Sequence, residues 1–299
     1  MSLCLVVALG AIAVIGGTLA YFTDSDADVN VMTAGNVKIV QDEWQSNDDN
    51  TGFEKYENGK ALFPYTGKTD ASGIASEYNA QLYYPDADGN LKNGGKYAFS
   101  AKNNAIDKIV TVKNTGTLPA YIRTLFAFEI ARDKDGNAIN PAADGVDQLN
   151  YSMMGLSNFK WTDAIITIDG VEFVVGEFYY GYNKVDEKAS SLAAGKTSYP
   201  SLLQVYLNSK VGNEWYDNFG QYYNIIAVSQ ATQMTGFDSA EQALDTAFAD
   251  VTAANAATIQ GWFVDNTEDN VVFVETVHPV VDGNADPKLS GTDTAPVAG

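Results

Sequence analysis

The segment AIITIDGVEFVVGEFYYGY, residues 164–182, leaves little choice of fold. Two β-branched and aromatic runs flank Asp169-Gly170, and that dipeptide is what a two-residue type I′ hairpin turn requires. Further strands follow the same logic. IDKIVTVKN (106–114) alternates Ile106, Lys108, Val110 and Val112 against Ile109 and Thr111, and AYIRTLFAFEI (120–130) follows after the turn NTGTLP. SLLQVYLN (201–208), YYNIIAVSQ (222–230) and NVVFVETV (270–277) are the remaining strong runs. Short strands punctuated by Gly, Asn and Asp predict a mainly β chain, an antiparallel β-sandwich with a few short helices and long loops. One helix is predicted in FDSAEQALDTAFA, with Asp238 as N-cap, Glu241 three residues on, and Phe237, Leu244 and Phe248 on the face that covers the sheets.

Two regions read as irregular. Residues 41–104 are rich in turn formers and predict long loops inserted in the sandwich domain (21–280), with short strands near Ala80–Tyr84 and Tyr97–Ala101. The tail, 281–299, has almost nothing to bury and is expected to be disordered. It contains no LPxTG-like sorting motif and no second apolar run, so no membrane anchor is expected once the N-terminus is processed.

That N-terminus is the second strong signal. Met1 to Thr23 holds no charged residue, Leu3–Ile15 is almost continuously apolar, and Gly16, Gly17 and Thr18 end the run before it reaches the length of a membrane span. Thr18-Leu19-Ala20 has the small-x-small pattern of a signal-peptidase site, which predicts a signal peptide over 1–20 and cleavage between Ala20 and Tyr21. A retained anchor is the alternative. The positively charged n-region of a signal is missing from MSLCLVV, which suggests a true start upstream of Met1.

Composition bounds the function. Lys and Arg number 18 against 38 Asp and Glu, for a net charge of −20, so nucleic acid and anionic lipid surfaces are expected to be repelled. The only cysteine, Cys4, lies in the signal, so the exported chain must be held by core burial or assembly rather than disulfides. Its single histidine, His278, stands beside Pro279; a nucleophilic triad is unpersuasive and the HExxH zinc signature is impossible. No nucleotide-binding glycine motif is present.

The acidic clusters point to at most a weak calcium site. DADGN (86–90) and DKDGN (133–137) begin like calcium loops, but the sixth and twelfth positions are wrong, and Asp-Gly turns are the expectation. In DSDAD, Asp24, Asp26 and Asp28 share one side of any strand they form; solvation is the plain reading and calcium-sensitive pairing with another chain the sharper one. Paired carboxylates are too abundant here to mark a glycosidase. The aromatic clusters EFYYGY (177–182) and NEWYDNFGQYYN (213–224) could stack on sugars, although strand aromatics more commonly form core.

The junction GGTLAYFTDSDADVNVMTAGNV and the block VTVKNTGTLPAYIRT (110–124) resemble the TasA and camelysin family, exported through a dedicated SipW-type signal peptidase. SLLQVYLN and IIAVSQATQMTGFDSAEQALDTAF are similar to the C-terminal part of some members. The resemblance implies a jelly-roll-like sandwich, secreted to the extracellular matrix or cell surface and assembled with copies of itself into biofilm matrix fibres, with an accessory fibre-anchoring protein as a further partner. It implies that the segment freed by cleavage, Tyr21 to Val31, is donated as a strand to the next subunit, with Tyr21, Phe22, Val29 and Val31 as its apolar positions. The plain alternative is that this segment packs on its own domain. No cofactor and no enzymatic activity are expected: camelysin-like metalloprotease chemistry lacks its histidines here. A monomeric adhesin or carbohydrate-binding sandwich is the competing function.

Overall fold

The protein is described by a computed structural model over residues 23–26, 37–57, 60–93, 98–133, 135–143, 148–154, 158–183, 188–212, 222–234, 237–264 and 271–275. Its organising unit is the expected hairpin. Strands β6 (Phe159–Ile168) and β7 (Val171–Tyr179) pair antiparallel with Ile168 opposite Val171, and Asp169 (φ 50°) and Gly170 (φ 82°) make the turn. Both positive φ values are those of a type I′ connection, whose twist matches the flanking strands. The pairing shifts between Trp161 and Ile165, where the Thr162 hydroxyl donates to the Val175 carbonyl at 2.7 Å.

From this hairpin the main sheet grows by antiparallel neighbours. β7 pairs with β4 (Ala120–Glu129), and β4 pairs with β9 (Tyr222–Gln233). The far edge of β9 is shared between β10 (Val271–Glu275) and β1 (Thr23–Asp26), and β10 also pairs in parallel with the short strand Lys60–Ala61.

A second layer packs against the inner face. In it, β2 (Ile39–Ser46) lies between Phe53–Lys55 and β3 (Ile109–Asn114), while β8 (Leu202–Leu207) lies between β5 (Leu149–Met153) and Ile106–Asp107. The run 106–114 stitches the two groups together. Lys108 N donates to Leu203 O at 2.9 Å, Ser201 N to Val110 O at 2.9 Å and Ser198 N to Val112 O at 2.7 Å.

The core lies between the layers, where Phe126, Phe128, Val174 and Ile225 meet Val110, Leu202, Val205 and Leu207. Each fully buried aliphatic or aromatic side chain contributes about 1.5–3 kcal/mol. Every residue of β4 from Ala120 to Phe128 is buried, because its other face is covered too. Helix α1 (Ala240–Ala247) sets Ala240, Ala243 and Leu244 on Tyr121 and Tyr179, and α2 (Ala256–Val264) sets Ile259 and Phe263 on Leu125, Ala127, Ile166 and Val175.

Three features depart from the sequence expectations. The cap of α1 is Ser239 rather than Asp238: Ser239 Oγ accepts from Gln242 N at 3.1 Å, and Gln242 Oε1 accepts from Asp238 N at 3.0 Å. Reciprocal bonding of this kind settles two otherwise orphaned donors. The segment read as irregular from residue 41 begins inside a regular strand, since β2 runs to Ser46 and pairs along β3. Its inward positions are polar. Gln45 is buried because Nε2 donates to Glu54 Oε1 at 2.8 Å and Oε1 accepts from Glu57 N at 3.2 Å. Lastly, Lys108 is wholly buried, with Nζ 2.5 Å from Glu43 Oε2 and near the Tyr56 ring. Burial pushes the Lys108 ammonium down against the pull of Glu43, and burial together with Glu43 pushes the Tyr56 phenol far up.

Candidate assembly edge

Strand β9 carries the feature with the clearest capacity for interaction, its divided outer edge. Ile226, Val228 and Ala231 are buried, so the strand is fixed on both faces and its main chain is rigidly presented. On the edge away from β4, β10 pairs with Tyr222 to Ile226 and β1 with Ser229 to Thr232. Between these two partners the Ala227 carbonyl accepts from Gln41 Nε2 at 3.1 Å, and Ser229 Oγ donates to Gln41 Oε1 at 2.7 Å. A side chain of the opposite layer therefore fills the break in the ladder. This role of Gln41 was not legible in the sequence, where the residue reads as a polar loop position.

The β1 register places Thr23 opposite Thr232, Asp24 opposite Ala231, Ser25 opposite Gln230 and Asp26 opposite Ser229. Of the segment expected to be donated, these four residues are described, and they lie on the chain's own β9. Tyr21, Phe22, Asp28, Val29 and Val31 lie outside the described residues, as do the cleavage position Ala20 and the lone His278. Asp24 and Asp26 are thus brought to a sheet edge, and among the described residues no group of three or more metal-ligating side chains is assembled.

Beneath this half of β9, on the helix-covered face, lies a buried charge network. Arg123 is fully buried. Its Nε donates to Gln230 Oε1 at 2.7 Å, Nη1 to Asp245 Oδ1 at 2.7 Å and Nη2 to the Ala249 carbonyl at 2.8 Å. Glu177 stands 3.7 Å from Arg123 and accepts from Lys160 at 2.8 Å and from the Tyr179 hydroxyl at 3.1 Å. Burial pushes the Asp245 carboxyl up although Arg123 draws it down. Burial and Glu177 push the Tyr179 phenol far up. Burial opposes the Lys160 charge, but hydrogen bonds to Glu177 and Glu241 outweigh it and hold that ammonium above its ordinary value. With each charge answered by a partner under α1, the network locks the helical layer to the strand.

The other sequence candidates resolve into structure. Asp86 Oδ1 accepts from the backbone of Asp88 and Asn90, and Asp133 Oδ1 from that of Asp135 and Asn137, with Gly89 and Gly136 at positive φ. These are Asp-Gly turns, and the two N–H groups hold the Asp86 carboxyl below its ordinary value. Phe178 is core between the layers and Tyr179 lies under α1, so these rings of EFYYGY are occupied internally. Residues 213–221 of the second aromatic cluster lie outside the described residues. Among the described residues no helix is long and apolar enough to cross a membrane. No protein-family model, curated protein or solved structure matches the chain.

Proposed function

We propose that the chain is a secreted, non-enzymatic structural subunit of an extracellular fibre, in which the N-terminal strand of one copy completes the β9 edge of the next. The observation that carries this reading is the pairing of Thr23–Asp26 with Ser229–Thr232. That pairing uses main-chain groups, which any copy supplies equally, and strand addition to an open edge is a general mode of assembly. The chain between Asp26 and Val37 could span at most about 35–40 Å when extended, enough for a strand to reach a neighbour as well as its own sheet. Assembly on this reading is a strand exchange: the register found within one chain is re-formed between two.

The apolar run ahead of Tyr21 supports the timing. A signal peptide holds the strand at the membrane until a SipW-type peptidase cleaves after Ala20, so exchange begins only after export. The cysteine-free, acidic exported chain fits a subunit held by core burial and by its neighbours.

The test is electron microscopy with sedimentation of residues 21–299 and 32–299 at matched concentration. Regular filaments from the first and folded monomers from the second are expected. Monomers from both, across pH and calcium, would move the function to a monomeric adhesin.

A further inference from the structure

Beside the end of β2 the loops form a half-open groove of about 440 Å³, polar and apolar in nearly equal parts and within the size range of small-ligand sites. Its floor is built and rigid. Gln204, 1% exposed, donates from Nε2 to Asp107 Oδ1 at 2.6 Å and to Phe99 O at 2.8 Å, and its Oε1 accepts from Phe99 N at 2.8 Å. Asp107 Oδ2 accepts from Ser46 N at 3.1 Å. Among the described residues, Ser46 Oγ is buried at this groove with no hydrogen-bond partner.

The walls favour hydroxyl groups over charge. Asn50 and Asn104, both at positive φ, supply amide side chains, Asn104 Nδ2 donating to Pro64 O; Asn47 Oδ1 accepts from Thr51 N and Gly52 N, and Gln81 Oε1 from the Tyr83 hydroxyl. Lys60 and Lys102 balance Asp48 and Asp107, in a chain whose net charge is −20. An ionic ligand therefore gains no net attraction, whereas a neutral ligand with many hydroxyls meets both donors and acceptors. Phe99, 6% exposed, lines the groove, and Tyr78, outside that lining, stacks on Phe99 with centroids 4.9 Å apart and planes 20° apart. Tyr78 is 54% exposed, so the side not stacked on Phe99 is available to the C–H face of a sugar ring that extends beyond the groove.

We propose that this groove binds a neutral oligosaccharide, giving the protein a polysaccharide-binding site. The proposal does not depend on strand exchange, because none of its residues belongs to β1 or β9.

Titration of residues 21–299 with neutral hexasaccharides of glucose, galactose and N-acetylglucosamine, at low and at high salt, tests it. At least one should bind with an affinity that salt leaves unchanged. Tyr78→Ala should weaken binding about tenfold, with a small loss of thermal midpoint from the lost stacking on Phe99 and the sedimentation behaviour of the parent, and Tyr78→Phe should restore both binding and midpoint. Failure of all three probes, full affinity in Tyr78→Ala, or binding only of anionic glycans or of peptides would overturn the assignment.

Discussion

Gln41 on one layer and Ala227 on the other are joined by a hydrogen bond, Nε2 to carbonyl at 3.1 Å, at the point of the β9 edge that neither β10 nor β1 covers. The same glutamine accepts from Ser229 Oγ, so one buried side chain serves two groups of β9.

Replacing it by Ala should therefore take this donor from the buried Ala227 carbonyl and leave Ser229 Oγ with Thr124 Oγ1, 3.0 Å away. The expected loss is about 1–3 kcal/mol, read as a lower midpoint in chemical denaturation with an unchanged slope. A neutral Gln41→Ala would show that water or β1 serves the edge instead.

Arg123 has a larger role. Its removal leaves the Asp245 and Glu177 carboxylates without their buried cation, and Arg123→Ala should cost about 3–5 kcal/mol. Trp262, whose ring lies 5.7 Å from the guanidinium, should report the loosened helical layer through its fluorescence. An unchanged denaturation midpoint would contradict the network's structural role.

Gly170→Ala isolates backbone strain. A Cβ there meets nothing within 4 Å, so the whole penalty comes from φ 82° in the hairpin turn. About 1 kcal/mol is expected, again from equilibrium denaturation, and no loss would mean the turn relaxes to another form.

The pH dependence should run opposite to ordinary acid denaturation over one window. Burial raises the carboxyl of Glu129, despite hydrogen bonds from Asn224 N and Nδ2, and likewise that of Asp245. An acid whose folded pKa lies above its unfolded one is protonated more readily in the native state, so stability falls as pH rises between the two values. That window opens near the ordinary carboxylate pKa of about 4 and extends upward. Repulsion within a chain of net charge −20 acts in the same sense. Asp86, held low, has the opposite sign and loses its contribution only below the window. The thermal midpoint should be higher near pH 5 than near pH 8; a midpoint that rises from pH 5 to pH 8 would contradict the assignment.

The sequence made some of this legible and hid the rest for identifiable reasons. Asp169-Gly170 specified its hairpin because only certain residues tolerate two successive positive φ values. Alternation revealed β3, β4, β8 and β9 because apolar residues dominate them. It missed β2, whose buried positions include Gln41 and Gln45, polar residues satisfied only by partners distant in the fold or across a turn. Helix α2 was missed for the reverse reason: in AATIQGWFV apolar residues fall on all sides around Gly261, so no helical stripe stands out. The groove was equally hidden, since its floor joins Ser46, Phe99, Asp107 and Gln204 from four separate parts of the chain.

The central claim concerns which chain's β9 receives the N-terminal strand, and cysteine pairing answers it directly. Residues 21–299 contain no cysteine, so Thr23→Cys with Thr232→Cys places one thiol on each side of a known register pair. Assembled material oxidised and run without reductant should give a ladder of covalent multimers that collapses to monomer on reduction. A single cross-linked species of monomer mass, from filaments or from solution, would contradict strand exchange and leave β1 as part of its own domain.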